Sequence, residues 1–171
     1  MYFLLFFGIL ISCEPSSEVE ENKVIEHNTH LLNNLMALWE TGDTLRTNEI
    51  FATNCEYTDV ANNTTLSGIE GVNRYIGHVH NWASNTRMTV RKVNVSEKMG
   101  YVEWTFTALQ SNPIKGRVPI ATNKDITLNG VTLAEFKDGK IQKAADYMDV
   151  LGFVIQLGSK VELPGGVIIG E

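Results

Sequence analysis

The chain has 171 residues, of which 43% are hydrophobic and 20% are charged, a composition that fits one globular domain and excludes a disordered chain. Fourteen Lys and Arg residues against twenty Asp and Glu residues give a formal net charge of −6, which argues against a nucleic-acid partner because phosphate contacts need a basic face. Two cysteines cannot form a disulfide framework, and the sequence shows no Cys and His spacing typical of zinc.

The N-terminal segment predicts export. Its first twelve residues are uncharged and almost wholly apolar, as in the apolar part of a signal peptide, and too short for a membrane span of about 20 residues. They end in Leu10-Ile11-Ser12-Cys13, which is similar to the bacterial lipobox, where the cysteine is lipidated and becomes the first mature residue. No Lys or Arg precedes the apolar run, so an ordinary cleaved signal or an upstream start are the alternatives.

We therefore expect residues 1–13 to be a lipoprotein-type signal peptide and residues 14–22, which are mostly polar, to be a tether. The mature protein is then expected in the cell envelope, held to the membrane only through its lipid anchor. If the signal is an ordinary one, the protein is secreted or periplasmic.

The first half of the remaining chain predicts helices. Apolar residues recur at steps of three and four before Gly42 and again after Gly68, which is typical of amphipathic helices. The predicted elements are helices over residues 17–42, 44–51 and 68–82 and a strand over residues 55–60.

The second half predicts a sheet. From Arg87 onward the apolar period changes to two, most clearly over residues 101–109, and Asp138-Gly139 is a hairpin signal. The predicted elements are strands from Met88 and over residues 101–109, 126–137 and 140–147, a helix over residues 150–157, and a loosely held tail over residues 159–171.

Helices early in the chain and antiparallel strands late in it predict an α+β fold. A curved antiparallel sheet wrapped over the N-terminal helices would enclose a pocket that suits one small apolar ligand.

Three segments carry a family resemblance. They are residues 66–72 (LSGIEGV), residues 119–124 (PIATNK), and residues 136–141 (FKDGKI) followed by DVLG and QLG over residues 149–158. In this order and spacing, the chain over residues 23–158 resembles the SnoaL-like polyketide cyclase (ester cyclase) family, part of the nuclear transport factor 2-like superfamily. The resemblance implies the cone-shaped α+β fold of that superfamily, a homodimer, and chemistry without a metal or cofactor.

The resemblance also implies one catalytic residue. In characterised cyclases of this family, an aspartate just before the last helix removes a proton next to a carbonyl and then protonates the new alkoxide, and that position falls on Asp149. An apolar pocket would raise the pKa of this carboxyl by desolvation. The alternative is that Asp149 only caps the helix that follows. Asp146 is expected to be exposed, because strand positions of opposite parity face opposite sides.

The other expected pocket residues are aromatic or polar side chains from the predicted strands and the third helix. They are Tyr57, Asp59, His78, Trp82, Trp104 and Phe106. His78 and His80 are two positions apart and do not share a helix face, and His27 and His30 have no visible third ligand. We therefore expect no metal site.

Three functions stay open at this point. The first is an enzyme of the cyclase or isomerase type acting by acid/base catalysis through Asp149. The second is an envelope lipoprotein that binds an apolar ligand without turning it over, and the third is a dimeric structural module. An export signal weakens the first, because polyketide cyclases act beside cytosolic synthases.

The predicted signal peptide leads to a direct test. Cells that express the full chain should incorporate a palmitate analogue into the protein, because Cys13 supplies the thiol to be acylated. A Cys13→Ser variant should carry no label, and an unlabelled wild-type protein would contradict the lipoprotein assignment.

Overall fold

The computed structural model describes residues 17–170, in which four helices and eight strands follow one another. The helices are α1 (Ser17–Thr41), α2 (Thr47–Ile50), α3 (Gly68–Trp82) and α4 (Val150–Gln156), with a 3-10 turn at Thr44–Arg46. The strands are β1 (Phe51–Asp59), β2 (Thr64–Ser67), β3 (Ala83–Val95), β4 (Met99–Gln110), β5 (Asp125–Lys137), β6 (Lys140–Met148), β7 (Val161–Glu162) and β8 (Ile168–Ile169). The signal peptide predicted over residues 1–13, with Cys13, lies outside the described residues.

Helix α1 forms because its apolar residues fall on one face. Its second half buries Leu31, Leu35 and Leu38, whereas residues 18–24 are exposed. Residues 17–22, assigned above to a tether, are the first turns of this helix. Gly42 ends it in the left-handed region at φ 70°, and its N–H donates to the carbonyl of Leu38 at 2.8 Å, as is typical of a helix C-terminus.

Strands β1 to β6 form one sheet in the order β2-β1-β6-β5-β4-β3. The predicted α+β fold is confirmed, with one difference from an all-antiparallel sheet: β1 pairs with β6 in parallel. In this pairing Asp59 is the register partner of Asp146. The parallel pair therefore places two carboxylates side by side from opposite ends of the sequence.

Three local features were not predicted. Strand β2 follows the Asn62-Asn63 turn, strand β3 begins at Ala83 rather than near Met88, and the tail contains a hairpin of β7 with β8. Among residues 17–170, no helix combines the length and the apolar character that crossing a membrane requires. The homodimer stays a prediction.

A glycine in β5 makes room for the largest side chain of β4. Gly130 is the register partner of Trp104, and a Cβ atom at position 130 would overlap the Trp104 ring and lie 2.8 Å from the carbonyl oxygen of Tyr147. Any side chain here must displace the indole, because a sheet backbone does not give way locally.

Gly130→Ala should therefore lower the free energy of unfolding by about 1–3 kcal/mol, measured by urea denaturation. Gly77→Ala is the matched control, because a Cβ atom on this helical glycine meets nothing within 4 Å. That control should stabilise the protein by about 0.5–1 kcal/mol through helix propensity. Equal changes in the free energy of unfolding for the two substitutions would contradict the close packing of Trp104 against Gly130.

Candidate functional site

A cavity of about 410 Å³ lies between the helices and the inner face of the sheet. This volume is in the range of small-molecule sites. Most of its wall is aromatic or aliphatic, and α1, α3, β3, β4 and β5 all contribute to it. The apolar lining includes Trp39, Trp82, Met88, Trp104, Phe106 and Leu128.

All three tryptophans of the chain line this cavity. Each comes from a different element, α1, α3 or β4. Trp82 also packs against Phe153 of the last helix, with ring centroids 5.6 Å apart. Aromatic walls of this kind bury a large area of an apolar ligand while keeping a fixed shape.

The cavity has one acidic end. Asp59 of β1 and Asp146 of β6 both line it, although only 2% and 4% of their surfaces are exposed. Their adjacency is a direct consequence of the parallel β1–β6 register. Two carboxylates this near to each other disfavour simultaneous ionisation.

Asp146 is held by two hydroxyl groups whose orientation is fixed by tryptophans. The Trp104 indole N–H donates to Thr132 Oγ1 at 2.9 Å, and the Thr132 hydroxyl donates to Asp146 Oδ1 at 2.5 Å. The Trp39 indole N–H donates to the Tyr57 oxygen at 3.1 Å, and the Tyr57 hydroxyl donates to Asp146 Oδ2 at 2.8 Å. Because an indole N–H can only donate, both hydroxyl protons are directed at the carboxyl group.

Burial and hydrogen bonding shift the pKa of the Asp146 carboxyl in opposite directions. Desolvation is the larger effect and raises the pKa of Asp146 to about 7, the hydroxyls of Thr132 and Tyr57 lower it, and the charge of Asp59 raises it further. A carboxyl with this pKa is close to half ionised near neutral pH, which is the condition for both taking and returning a proton.

Asp59 has its own set of donors. The Tyr75 hydroxyl donates to Asp59 Oδ2 at 2.5 Å, and the Asn62 side-chain and backbone N–H groups donate to its two oxygens. Arg117 donates in turn to the Asn62 side-chain oxygen. This carboxylate is therefore a fixed member of a surface-to-interior hydrogen-bond chain.

Two tyrosines complete the acidic end as neutral hydroxyls. Burial, followed by the charge of Asp146, raises the pKa of both Tyr57 and Tyr75, and the positive charge of Arg117 opposes this for Tyr75 only weakly. Their rings pack edge to face, with centroids 5.8 Å apart. Both phenols stay protonated under ordinary conditions and serve as donors.

Asp149 lies elsewhere. It is exposed, does not line the cavity, and caps α4 by accepting the Gly152 N–H at 2.8 Å. This is the N-cap arrangement that was the alternative interpretation, and the placement gives no support to a catalytic role for this residue. The expectation that Asp146 is exposed is wrong, since Asp146 is the carboxyl that the cavity contains.

The remaining predicted pocket residues lie at or directly behind the cavity wall. Asp59, His78, Trp82, Trp104 and Phe106 line it, with His78 at an exposed position. Tyr57 is fully buried behind the wall and reaches the site through its bond to Asp146.

Sequence reasoning missed Trp39, Tyr75, Thr132 and Asp146. A signal for Asp146 was present, because Ala144, Asp146 and Met148 alternate with Lys143 and Tyr147 and thus share the inward face. The exposed assignment came from the opposite parity of Asp146 and Asp149, which was applied as if Asp149 faced the pocket. The structure instead places Asp146 inside, where Thr132 and Tyr57 donate to it.

No group of three or more His, Cys, Asp or Glu side chains within residues 17–170 is arranged to hold a metal ion. Two of the four histidines considered above have other partners. His27 Nε2 lies 3.0 Å from the Gly139 carbonyl oxygen, and His80 Nε2 lies 3.0 Å from the Trp39 carbonyl oxygen.

The sequence profile of the SnoaL-like polyketide cyclase family matches residues 29–157. The chain belongs to this family. A comparison with curated proteins gives no significant match. The match runs from the middle of α1 to the end of α4 and includes every residue that lines the cavity.

Solved structures of other proteins share the fold of this chain. TsrD from Streptomyces laurentii is 22% identical with a TM-score of 0.69, and the match covers 78% of this chain and 96% of TsrD. A proposed SnoaL-like polyketide cyclase from Jannaschia sp. CCS1 is 19% identical with a TM-score of 0.69, covering 78% and 93% of the two chains. AclR from Streptomyces galilaeus, a proposed hydroxylase, is 15% identical with a TM-score of 0.68, covering 82% and 91%. These likenesses confirm the expected nuclear transport factor 2-like fold.

The buried carboxyl predicts a pH-dependent stability. Between the usual pKa of 3.8 and about 7, folded Asp146 keeps a proton that the unfolded chain has released, so this residue destabilises the fold as pH rises through that window. Each pH unit in the window amounts to about 1.4 kcal/mol. The free energy of unfolding of the wild type should therefore fall by about 4 kcal/mol relative to Asp146→Asn between about pH 4 and pH 7.

Urea denaturation across this pH range measures the difference. Asp149→Asn is the matched control, because that carboxyl is exposed and Asn is also a good N-cap. The control should follow the wild-type curve. If the free energy of unfolding changed with pH in the same way for the wild type and Asp146→Asn, the raised pKa of Asp146 would be contradicted.

Proposed function

We propose that the cavity binds a small, mostly apolar carbonyl compound and that Asp146 acts on it as a general acid/base without a cofactor. The observation that carries this proposal is a buried carboxyl, Asp146, that lines an apolar cavity beside Asp59 and accepts hydrogen bonds from Thr132 and Tyr57. Membership of the SnoaL-like polyketide cyclase family supports a reaction of the cyclase or isomerase type.

The proposed chemistry needs one proton transfer in each direction. Ionised Asp146 takes a proton from a carbon next to a carbonyl group, and the electron pair of the broken C–H bond is delocalised onto the carbonyl oxygen. In a cyclisation this enolate attacks a second carbonyl of the same molecule, a C–C bond forms, and protonated Asp146 returns its proton to the new alkoxide. In an isomerisation the proton returns to a different carbon.

The surroundings of Asp146 suit both half-reactions. The donors Thr132 and Tyr57 keep the carboxyl group in one orientation, which is how a site avoids reorganisation during the reaction. Asp59 and Asp146 are almost fully buried against the apolar wall, and a low local dielectric strengthens each electrostatic interaction there. Tyr75 stays neutral at the same end and donates its one hydroxyl proton to Asp59, which fixes the neighbouring carboxylate.

A second candidate function is binding without turnover, supported by the aromatic lining and by the lipobox-like segment before Cys13. An envelope lipoprotein of this kind would hold an apolar ligand outside the cytosol. Both candidate functions use the same cavity, but only the first one includes proton transfer. A measurement of proton transfer therefore distinguishes them.

Hydrogen–deuterium exchange at the carbon next to the carbonyl of an apolar bicyclic ketone, 2-tetralone, tests the proposal. The wild type should accelerate exchange in deuterated buffer, followed by NMR, with a rate that rises as pH passes through about 7 because the ionised carboxyl is the base. Asp146→Asn should lose about 100-fold or more of this acceleration.

Asp149→Asn is the control and should retain the wild-type rate. Loss of exchange in Asp149→Asn, with Asp146→Asn still active, would return the catalytic role to Asp149 and overturn this proposal. Binding of 2-tetralone without any exchange in the wild type would favour the non-catalytic function.

A further inference from the structure

The mouth of the cavity has the opposite charge to its inner end. Arg74 of α3 and Lys115 and Arg117 of the loop between β4 and β5 line the cavity and are exposed. The chain as a whole is acidic, with a net charge of −6. Three cations around one opening therefore make the local charge opposite in sign to the overall charge. Such a reversal raises the local concentration of anions.

Two of these cations have no carboxylate partner. The ion pairs among the described residues include Arg74 with Glu70 at 3.8 Å, but none includes Lys115 or Arg117. Arg117 uses one guanidinium N–H group on the neutral amide of Asn62 and has further donors for another partner. Neither side chain is therefore in a direct ion pair with a carboxylate of the described residues.

The loop that carries Lys115 and Arg117 is firmly held. Ile114 is buried and forms two backbone hydrogen bonds with Val118, at 2.8 and 2.9 Å. The buried Gln110 side chain accepts from Thr122 and donates to the carbonyl groups of Asn112 and Ile120. A preformed position for the two cations reduces the entropy that ligand binding would otherwise cost.

We infer that the ligand of this cavity is amphipathic, with a carboxylate that Arg117 and Lys115 bind at the mouth and an apolar body that fills the interior. This inference rests on the proposed small-molecule function of the cavity. A carboxylate at the inner end would meet the acidic pair of Asp59 and Asp146, so the anionic group faces outward. The reactive part of the ligand is thereby directed toward Asp146.

Decanoate and its uncharged counterpart 1-decanol provide the test. Binding is measured by calorimetry and by tryptophan fluorescence, which reports occupancy because all three tryptophans line the cavity. Decanoate should bind more tightly than 1-decanol to the wild type, and its advantage should shrink as ionic strength rises.

Arg117→Gln should weaken decanoate binding about tenfold, as expected for a charge-assisted bond, and Lys115→Gln should weaken it about threefold. The affinity for 1-decanol should change less than about twofold in either variant. Lys115→Gln is the cleaner substitution, since Arg117 also contacts Asn62. Arg91→Gln removes the same charge from an exposed β3 residue outside the cavity lining and is the matched control.

Equal losses for decanoate and 1-decanol, or no loss for decanoate in both charge variants, would overturn the anionic ligand. Tight binding of 1-decanol together with weaker binding of decanoate would overturn it as well while leaving the proposed function intact. Binding of neither molecule would count against the small-molecule function itself.

Discussion

The candidate site depends on one carboxyl group, Asp146, that is buried in an apolar interior. A charge in such a place is strongly disfavoured unless hydrogen-bond donors face it. Asp146 meets this condition because Thr132 and Tyr57 donate to its two oxygens, and because the indoles of Trp104 and Trp39 prevent those hydroxyls from turning away. Each of the four supporting side chains belongs to a different element, so the carboxyl connects α1, β1, β4, β5 and β6.

This arrangement divides the cavity into regions with separate tasks. In the function proposed above, the aromatic wall provides affinity through buried area, the carboxyl end provides proton chemistry, and the mouth provides positive charge. Proteins of this fold carry names as different as cyclase and hydroxylase, which agrees with the general observation that function lies in the site rather than in the fold. The particular side chains at the two ends of the cavity therefore matter more for this protein than its architecture.

The sequence predicted the architecture because periodicity is a local property. The change from helical spacing before Trp82 to alternation over residues 101–109 marks the change from helices to sheet. The parallel pairing of β1 with β6 has no comparable signal, since it depends on strands far apart in the chain.

The same dependence on contacts between distant strands explains which residues of the candidate site could be predicted. Spacing placed Trp104 and Phe106 on one face of a strand and Trp82 on the apolar stripe of a helix, and the expected fold turned those faces toward the pocket. Asp146 could not be placed in this way, because a charged residue on an inward face is stable only with donors from other strands, and those partners are invisible to a local pattern. Asp149 attracted the catalytic assignment because it precedes a helix in a recognisable motif, and the motif reflects helix capping.

The parallel β1–β6 contact also has a consequence for synthesis of the protein. Tyr57 and Asp146 are separated by 89 positions, and contacts of such long range form late, since the intervening chain must first be ordered. On the ribosome, β1 and its tyrosine emerge well before the strand that supplies the carboxyl. Until β6 has been translated and docked between β1 and β5, the cavity is incomplete and the edges of β1 and β5 that β6 will cover stay unpaired, and unpaired edges of this kind are sites of aggregation.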